Sequence, residues 1–239
     1  MKKASNKSSM KNYSFSPRMK MADLILANHI NLLVLGRFGI HLGFADKTVD
    51  EVCQKYKVNT DLFVLICNIF YDHDFEASKP QIAACPADEM ISFLKKSHQF
   101  YRVERLPEIK SAIQNLSASC TPMHGKALER FFDEYYQEIE KHLSYEDQVV
   151  FPYIEELINY QKKADFTIKQ FEDNHDNIEI KLDDLKNIII KYIPENDNDE
   201  LRKLLLDKLF IFEEDLNRHQ LIEDKLLVPM VLLLESQTA

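Results

Sequence analysis

The sequence predicts an all-α protein: an antiparallel up-down four-helix bundle preceded by a small helical domain. Three observations predict it. The 239 residues include only four Gly and no Trp, and Leu, Ile, Lys and Glu are abundant, a balance with good helix propensity. Apolar residues recur at spacings of three and four through four long segments, and the short connections between them bring successive helices antiparallel. Within those segments one polar pattern, a His followed by His-x3-Glu, occurs twice.

The chain opens on a basic stretch. Residues 1–20 carry Lys2, Lys3, Lys7, Lys11, Arg18 and Lys20 among Ser and Asn, with no acid. Such a stretch has too little apolar material to fold and reads as a disordered, solvated tail. No apolar run follows the lysines, so no secretory signal is expected, and no stretch approaches the length of a membrane span. Hydrophobic residues make up 45% of the chain, enough for a sizeable core, and the net charge of −9 argues against nucleic-acid binding by the folded part. Cys53, Cys67, Cys85 and Cys120 form no C-x-x-C pair. They read as small buried hydrophobes or spare thiols in a reducing cytoplasm, not as a disulfide framework.

Residues 21–76 read as a small domain of four short helices. The first starts at Met21 and the second covers Asn31–Gly36. Gly36, Gly39 and Gly43 cluster in a turn region. Thr48 is an N-cap with Glu51 three residues on, the capping-box pattern, for a helix through Cys53. Asp61 is placed to cap a fourth helix through Leu65 and Ile69. Residues 77–87, with Ser78, Pro80 and Pro86, read as a linker.

The bundle is expected over 88–236. Its segments run about 88–118 with a break or kink at Pro107, 124–160 after Thr121-Pro122, 163–192 before Pro194, and 197–236. Pro152 and Pro229 fall inside helical patterns, each six residues after a Glu of the repeated pattern, and predict matched kinks.

The polar pattern carries the chemistry. His98, His142 and Glu146 form one copy, and His175, His219 and Glu223 the other. Each reads H-x43-H-x3-E, and the copies are offset by 77 residues. A His and a Glu four residues apart share one helix face. A single such pair is ordinarily a surface ion pair. Here both pairs continue apolar stripes: Leu128, Phe131, Tyr135, Ile139, then Val149 and Tyr153 in the second segment, and Leu205, Leu209, Phe212 and Leu216, then Leu226, Leu227 and Met230 in the fourth. His98 lies among Ile91, Leu94 and Tyr101, and His175 among Ile168, Phe171, Ile178 and Leu182. Six polar groups thus point inward. A buried carboxylate must be protonated, paired or metal-bound, and no Lys or Arg shares the stripes to pair both. Two carboxylates bridging two metals, with two imidazoles on each, predict two non-haem Fe ions. An oxo or hydroxo bridge makes five donors per metal and leaves one open position on each, which suits redox-active iron better than closed structural zinc. Ferritin-like di-iron proteins use four carboxylates and the opposite order, Glu-x-x-His.

At these residues the chain resembles the hemerythrin-like HHE cation-binding proteins, specifically the repair-of-iron-centres family. The string His142-Leu-Ser-Tyr-Glu-Asp-Gln-Val-Val-Phe-Pro152 is similar to that family's second helix. Oxygen-carrying hemerythrins typically add a fifth His, and this pattern has four. The resemblance implies cytoplasmic di-iron proteins that protect or restore iron–sulfur clusters after nitrosative and oxidative damage and that react with nitric oxide. The implied partners are damaged iron–sulfur proteins, with NO or O2 as small ligands. The domain before the bundle also resembles that family's, but where members carry a Cys-Cys pair this chain reads Leu42-Gly43, ahead of Phe44-Ala-Asp-Lys-Thr48. Thiol chemistry does not carry over, which leaves that domain a docking or dimerisation role.

His29, His41, His73 and His124 read as surface or end-cap residues, and Tyr101 as core packing with a ligand-contacting role as the alternative. Asp147 and Asp224 point about 100° from the ligand face, toward solvent or a helix interface. Cluster repair, nitric oxide reduction and diatomic sensing all use the same six ligands, and the residues leave the three open.

Overall fold

The computed structural model describes residues 14–159, 166–173, 178–194 and 198–238. Among these every regular element is helical, apart from one isolated antiparallel bridge between Lys20 and Thr48. The chain divides into two compact units, with the boundary after Phe75.

The first unit holds α1 (Met21–Ala27), α2 (Asn31–Arg37), α3 (Val49–Tyr56) and α4 (Thr60–Tyr71). Its centre is α4, in which every residue from Leu62 to Phe70 is buried, as a helix packed on more than one side must be. Thr48 opens α3 with the expected capping box: Glu51 N–H donates to Thr48 Oγ1 at 3.2 Å, and Thr48 N–H donates to Glu51 Oε2 at 2.8 Å. The cap of α4 differs from expectation. Asn59, not Asp61, accepts from Leu62 N–H, because α4 begins at Thr60 and leaves Asp61 in its first turn. Gly36 lies inside α2, while Gly39 and Gly43 take positive φ in the turn that follows. Residues 1–13 of the expected tail lie outside the described residues. The remainder is built into the unit: Phe15 is buried, and its N–H donates to Asn68 Oδ1 at 2.7 Å.

The second unit opens with α5 (Lys79–Ala83), a one-turn helix where a linker was expected, started by a capping box between Ser78 and Gln81. It packs on the end of the last helix. Four long helices follow. The first joins α6 (Ala87–Phe100) to α7 (Leu106–Ser119), and the second joins α8 (Pro122–Tyr145) to α9 (Phe151–Ile158). The third is described as α10 (Ile168–Asp173) and α11 (Ile178–Asn187), and the fourth joins α12 (Asp199–Ile222) to α13 (Val228–Thr238). α7 packs on α8 and α6 on α9, α11 on α12 and α10 on α13. Each pairing sets the end of one helix against the start of the next, which is the antiparallel up-down order. The core below the site includes Ile109, Ile113, Leu128, Phe132, Tyr135, Ile139, Leu185, Leu205, Leu209 and Phe212.

Pro107, Pro152 and Pro229 do not break their helices, whereas the third helix ends at Tyr192 and Pro194 follows an extended Ile193. Each of the four long helices contains a π-helical turn: Tyr101–Arg105, Glu146–Val150, Ile188–Tyr192 and Glu223–Leu227. In each, the residue after the turn donates its N–H to the turn's first carbonyl, and the next residue is proline: Leu106-Pro107, Phe151-Pro152, Ile193-Pro194 and Val228-Pro229. A helical proline lacks a donor and presses its ring on the carbonyl four residues back. The widened turn takes up that conflict with one extra residue. The extra residue also shifts the apolar stripe. Val149, expected inside, is 38% exposed, and Val150 is buried.

At Gly125, α8 lies tightly against α7. A Cβ there would lie 2.6 Å from Ser117 Oγ and 2.7 Å from Ser117 O. Gly125→Ala gains about 1 kcal/mol of helix propensity but must displace backbone, at a cost of about 1–3 kcal/mol. Net destabilisation of the bundle is expected, read as a lower urea midpoint. At Gly36 an added Cβ meets nothing within 4 Å, so Gly36→Ala is expected to stabilise α2 by about 0.5 kcal/mol, read by amide hydrogen exchange. A stabilised bundle in the first variant would refute the tight crossing.

Candidate metal centre

The centre forms where the first, second and fourth helices meet, at the level of the π-turns. His98 comes from α6, His142 from the last turn of α8, and His219 from the last turn of α12. Glu146 and Glu223 are the first residues of their π-turns. Both carboxylates are fully buried, as are the rings of His98 and His219, while His142 keeps 12% of its side chain exposed. Of the expected donors, His98, Glu146, His219 and Glu223 offer ligand atoms that all lie within 4.8 Å of one another. His142 adjoins this cluster, with Nε2 2.9 Å from Glu146 Oε1. His175 lies outside the described residues.

The contacts describe groups turned toward a common point. His98 Nε2 is 2.9 Å from Glu146 Oε2 and 3.2 Å from His219 Nε2. His219 Nε2 is 3.1 Å from Glu223 Oε1. Although nitrogens lie this close, neither oxygen of Glu146 accepts a hydrogen bond of sound geometry. Two facing imidazole nitrogens repel unless a proton or a cation lies between them. Imidazole and carboxylate donors without a thiolate suit iron and similar first-row cations. The residues present therefore fit a metal centre.

The surroundings fix the donors. Asp147 Oδ1 lies 2.9 Å from His98 Nδ1. Its Oδ2 accepts from Arg102 Nη1 at 2.6 Å, and Arg102 Nε donates to Glu140 at 3.0 Å. Burial opposes ionisation of Asp147, but His98 and Arg102 hold its carboxyl below the usual range. The ring of Phe151 stacks on His98 with centroids 5.4 Å apart. Tyr101 is core: its hydroxyl donates to the Asp215 carbonyl at 3.3 Å, and its ring meets Phe212 and His219 edge-on. His124 closes the start of α8, with Nδ1 2.8 Å from the Thr121 hydroxyl. Asp224 is exposed. Sequence reasoning left Asp147 open between solvent and an interface and missed Arg102. The available signal was the spacing His98-x3-Arg102, which puts the guanidinium on the histidine's own face.

Charge at the centre is set by mutual neutralisation. Burial penalises the Glu146 carboxylate, yet His142, His219 and His98 together hold its carboxyl well below the ordinary range. Burial likewise opposes a charged His219, but Glu223 and Glu146 push it up to about 10. Because the folded value lies above 6.5, the imidazolium stabilises the metal-free fold fully below pH about 6.5, and this contribution is lost as pH rises through about 10. Between those values a cation must displace that proton. Metal affinity is therefore expected to rise by about tenfold per pH unit from pH 6 to 8 for one displaced proton. Calorimetric titration in buffers of different ionisation enthalpy reads the release, and an affinity independent of pH would contradict it.

Residues 89–231 match the family model described as the hemerythrin HHE cation binding domain. No curated protein matches the chain. The family match takes in most of the bundle and the whole donor cluster, more than half of the sequence, and the chain belongs to the hemerythrin HHE cation-binding family.

Proposed function

We propose that this chain is a non-haem di-iron protein that restores iron–sulfur clusters damaged by nitrosative or oxidative stress, by donating iron. The observation that carries the reading is the donor set. Two buried carboxylates lie among three described imidazoles, His175 supplies a fourth by the sequence repeat, and no thiolate takes part. Such a set holds iron without the tight thiolate bonds of a cluster scaffold, so the metal stays transferable.

A metal held by these residues would supply redox capacity. The protein's own residues do the rest. Glu146 and Glu223 supply the negative charge that balances the cations, and His98 and His219 close the centre from within the core. His142 stands at the partly exposed edge, where its imidazole would be the donor nearest water for a cation entering or leaving. Phe151 and Tyr101 cover the buried imidazoles and keep bulk water from them. Cys53, Cys67, Cys85 and Cys120 are not joined in disulfides, in keeping with a reducing cytoplasm. Among the described residues no helix is long and apolar enough to cross a membrane.

The test combines the anaerobically iron-loaded protein with a [4Fe–4S] dehydratase inactivated by nitric oxide. Dehydratase activity is expected to return with the natural chain and to fall by about tenfold or more with His142→Ala. Glu146→Ala and Glu223→Ala are expected to lose iron outright, since each removes a shared charge. No recovery from a protein carrying two irons per chain would end the repair reading. Sustained nitrous oxide production with an electron donor would then favour nitric oxide reduction.

A further inference from the structure

We propose that Asp147 is the positioning residue of the centre, fixing His98 as a ligand through Nε2, and that Arg102 holds Asp147 in place. The proposal rests on the reading of the centre as an iron site.

An ionised carboxylate has only acceptor lone pairs. Asp147, ion-paired to Arg102 at 2.6 Å, therefore requires the hydrogen of the 2.9 Å contact to sit on His98 Nδ1. With Nδ1 held by Asp147, Nε2 is the ring nitrogen turned toward Glu146 and His219 at the centre. The bond also fixes the rotation of the ring, which Phe151 braces from one face. A carboxylate on the distal nitrogen strengthens an imidazole donor as well as orienting it.

The support has two ends. Arg102 follows His98 by one helical turn and reaches across to the second helix, where Asp147 Oδ2, Glu140 and the Ser144 hydroxyl accept from it at 2.6, 3.0 and 3.4 Å. Asp147 is thus clamped between the histidine it orients and the guanidinium that orients it. Glu146 beside it faces the centre. One helical turn therefore delivers both a ligand and the group that aims the ligand from the opposite helix. The pairing is charged, bridges two helices and is only partly exposed, conditions under which an ion pair is geometrically specific.

Two measurements test this. The first is the His98 Nδ1 proton in the metal-free natural chain, followed by ¹⁵N-resolved NMR. A resonance protected from solvent exchange is expected, absent in Asp147→Ala. The second is anaerobic Fe²⁺ titration. Asp147→Asn is expected to weaken binding by about 10- to 100-fold, and Arg102→Gln by about tenfold or less. Circular dichroism of the metal-free variants is expected to match the natural chain. Unchanged Fe²⁺ affinity in Asp147→Asn would overturn the proposal, and so would a freely exchanging His98 proton in the natural chain. A natural chain that holds no Fe²⁺ yet shows the protected proton would overturn the iron reading, and the positioning role with it.

Discussion

Two carboxylates buried at the centre of a helical bundle are the constraint on which the rest of this structure depends. Glu146 and Glu223 have no exposed surface, and an unpaired charge in such a place costs about 3–5 kcal/mol or more. His98, His142 and His219 converge on them because only neighbouring positive charge, a shared proton or a bound cation makes that burial tolerable. Without a metal, burial opposes a charge on His219 while Glu223 and Glu146 favour one; the same atoms are the candidate ligands of a cation.

The backbone serves this constraint through its prolines. In the second and fourth helices the π-turn begins at the ligand carboxylate and ends just before a proline. The proline prevents the helix from settling into regular α-geometry at that point, so the widened turn is fixed by covalent structure. The first helix uses the same device with Pro107, while in the third the π-turn closes the helix and Pro194 follows an extended Ile193. Three turns widened in this way give the bundle room for side chains that an evenly wound core would exclude. The cost is one ladder bond out of register per helix, which tertiary packing offsets.

The charged network around Arg102 ties the metal ligands to the helix interface. Because Asp147 touches a ligand from the first helix while Glu146 supplies one from the second, any slide of those helices would disturb both. Gly125 allows α7 and α8 to approach closely below the site, and the Arg102 cluster sets their register above it.

By itself the sequence determined the elements and the ligand types. Helix period, capping chemistry and repeat spacing are properties of a few consecutive residues, so Thr48 with Glu51, the inward stripes and the His-x3-Glu pairs could be read directly. The prolines marked where each helix would depart from α-geometry, but not that an extra residue would absorb the strain and carry Val150 inside in place of Val149. The partner of His98 could not be read either. Asp147 stands 49 residues away in the chain, and its approach depends on the distance and rotation between two helices, which many side chains set together. Only the tertiary structure decided that contact, because a carboxylate pointing away from its own helix's ligand face gains a role only when another helix brings an imidazole to it.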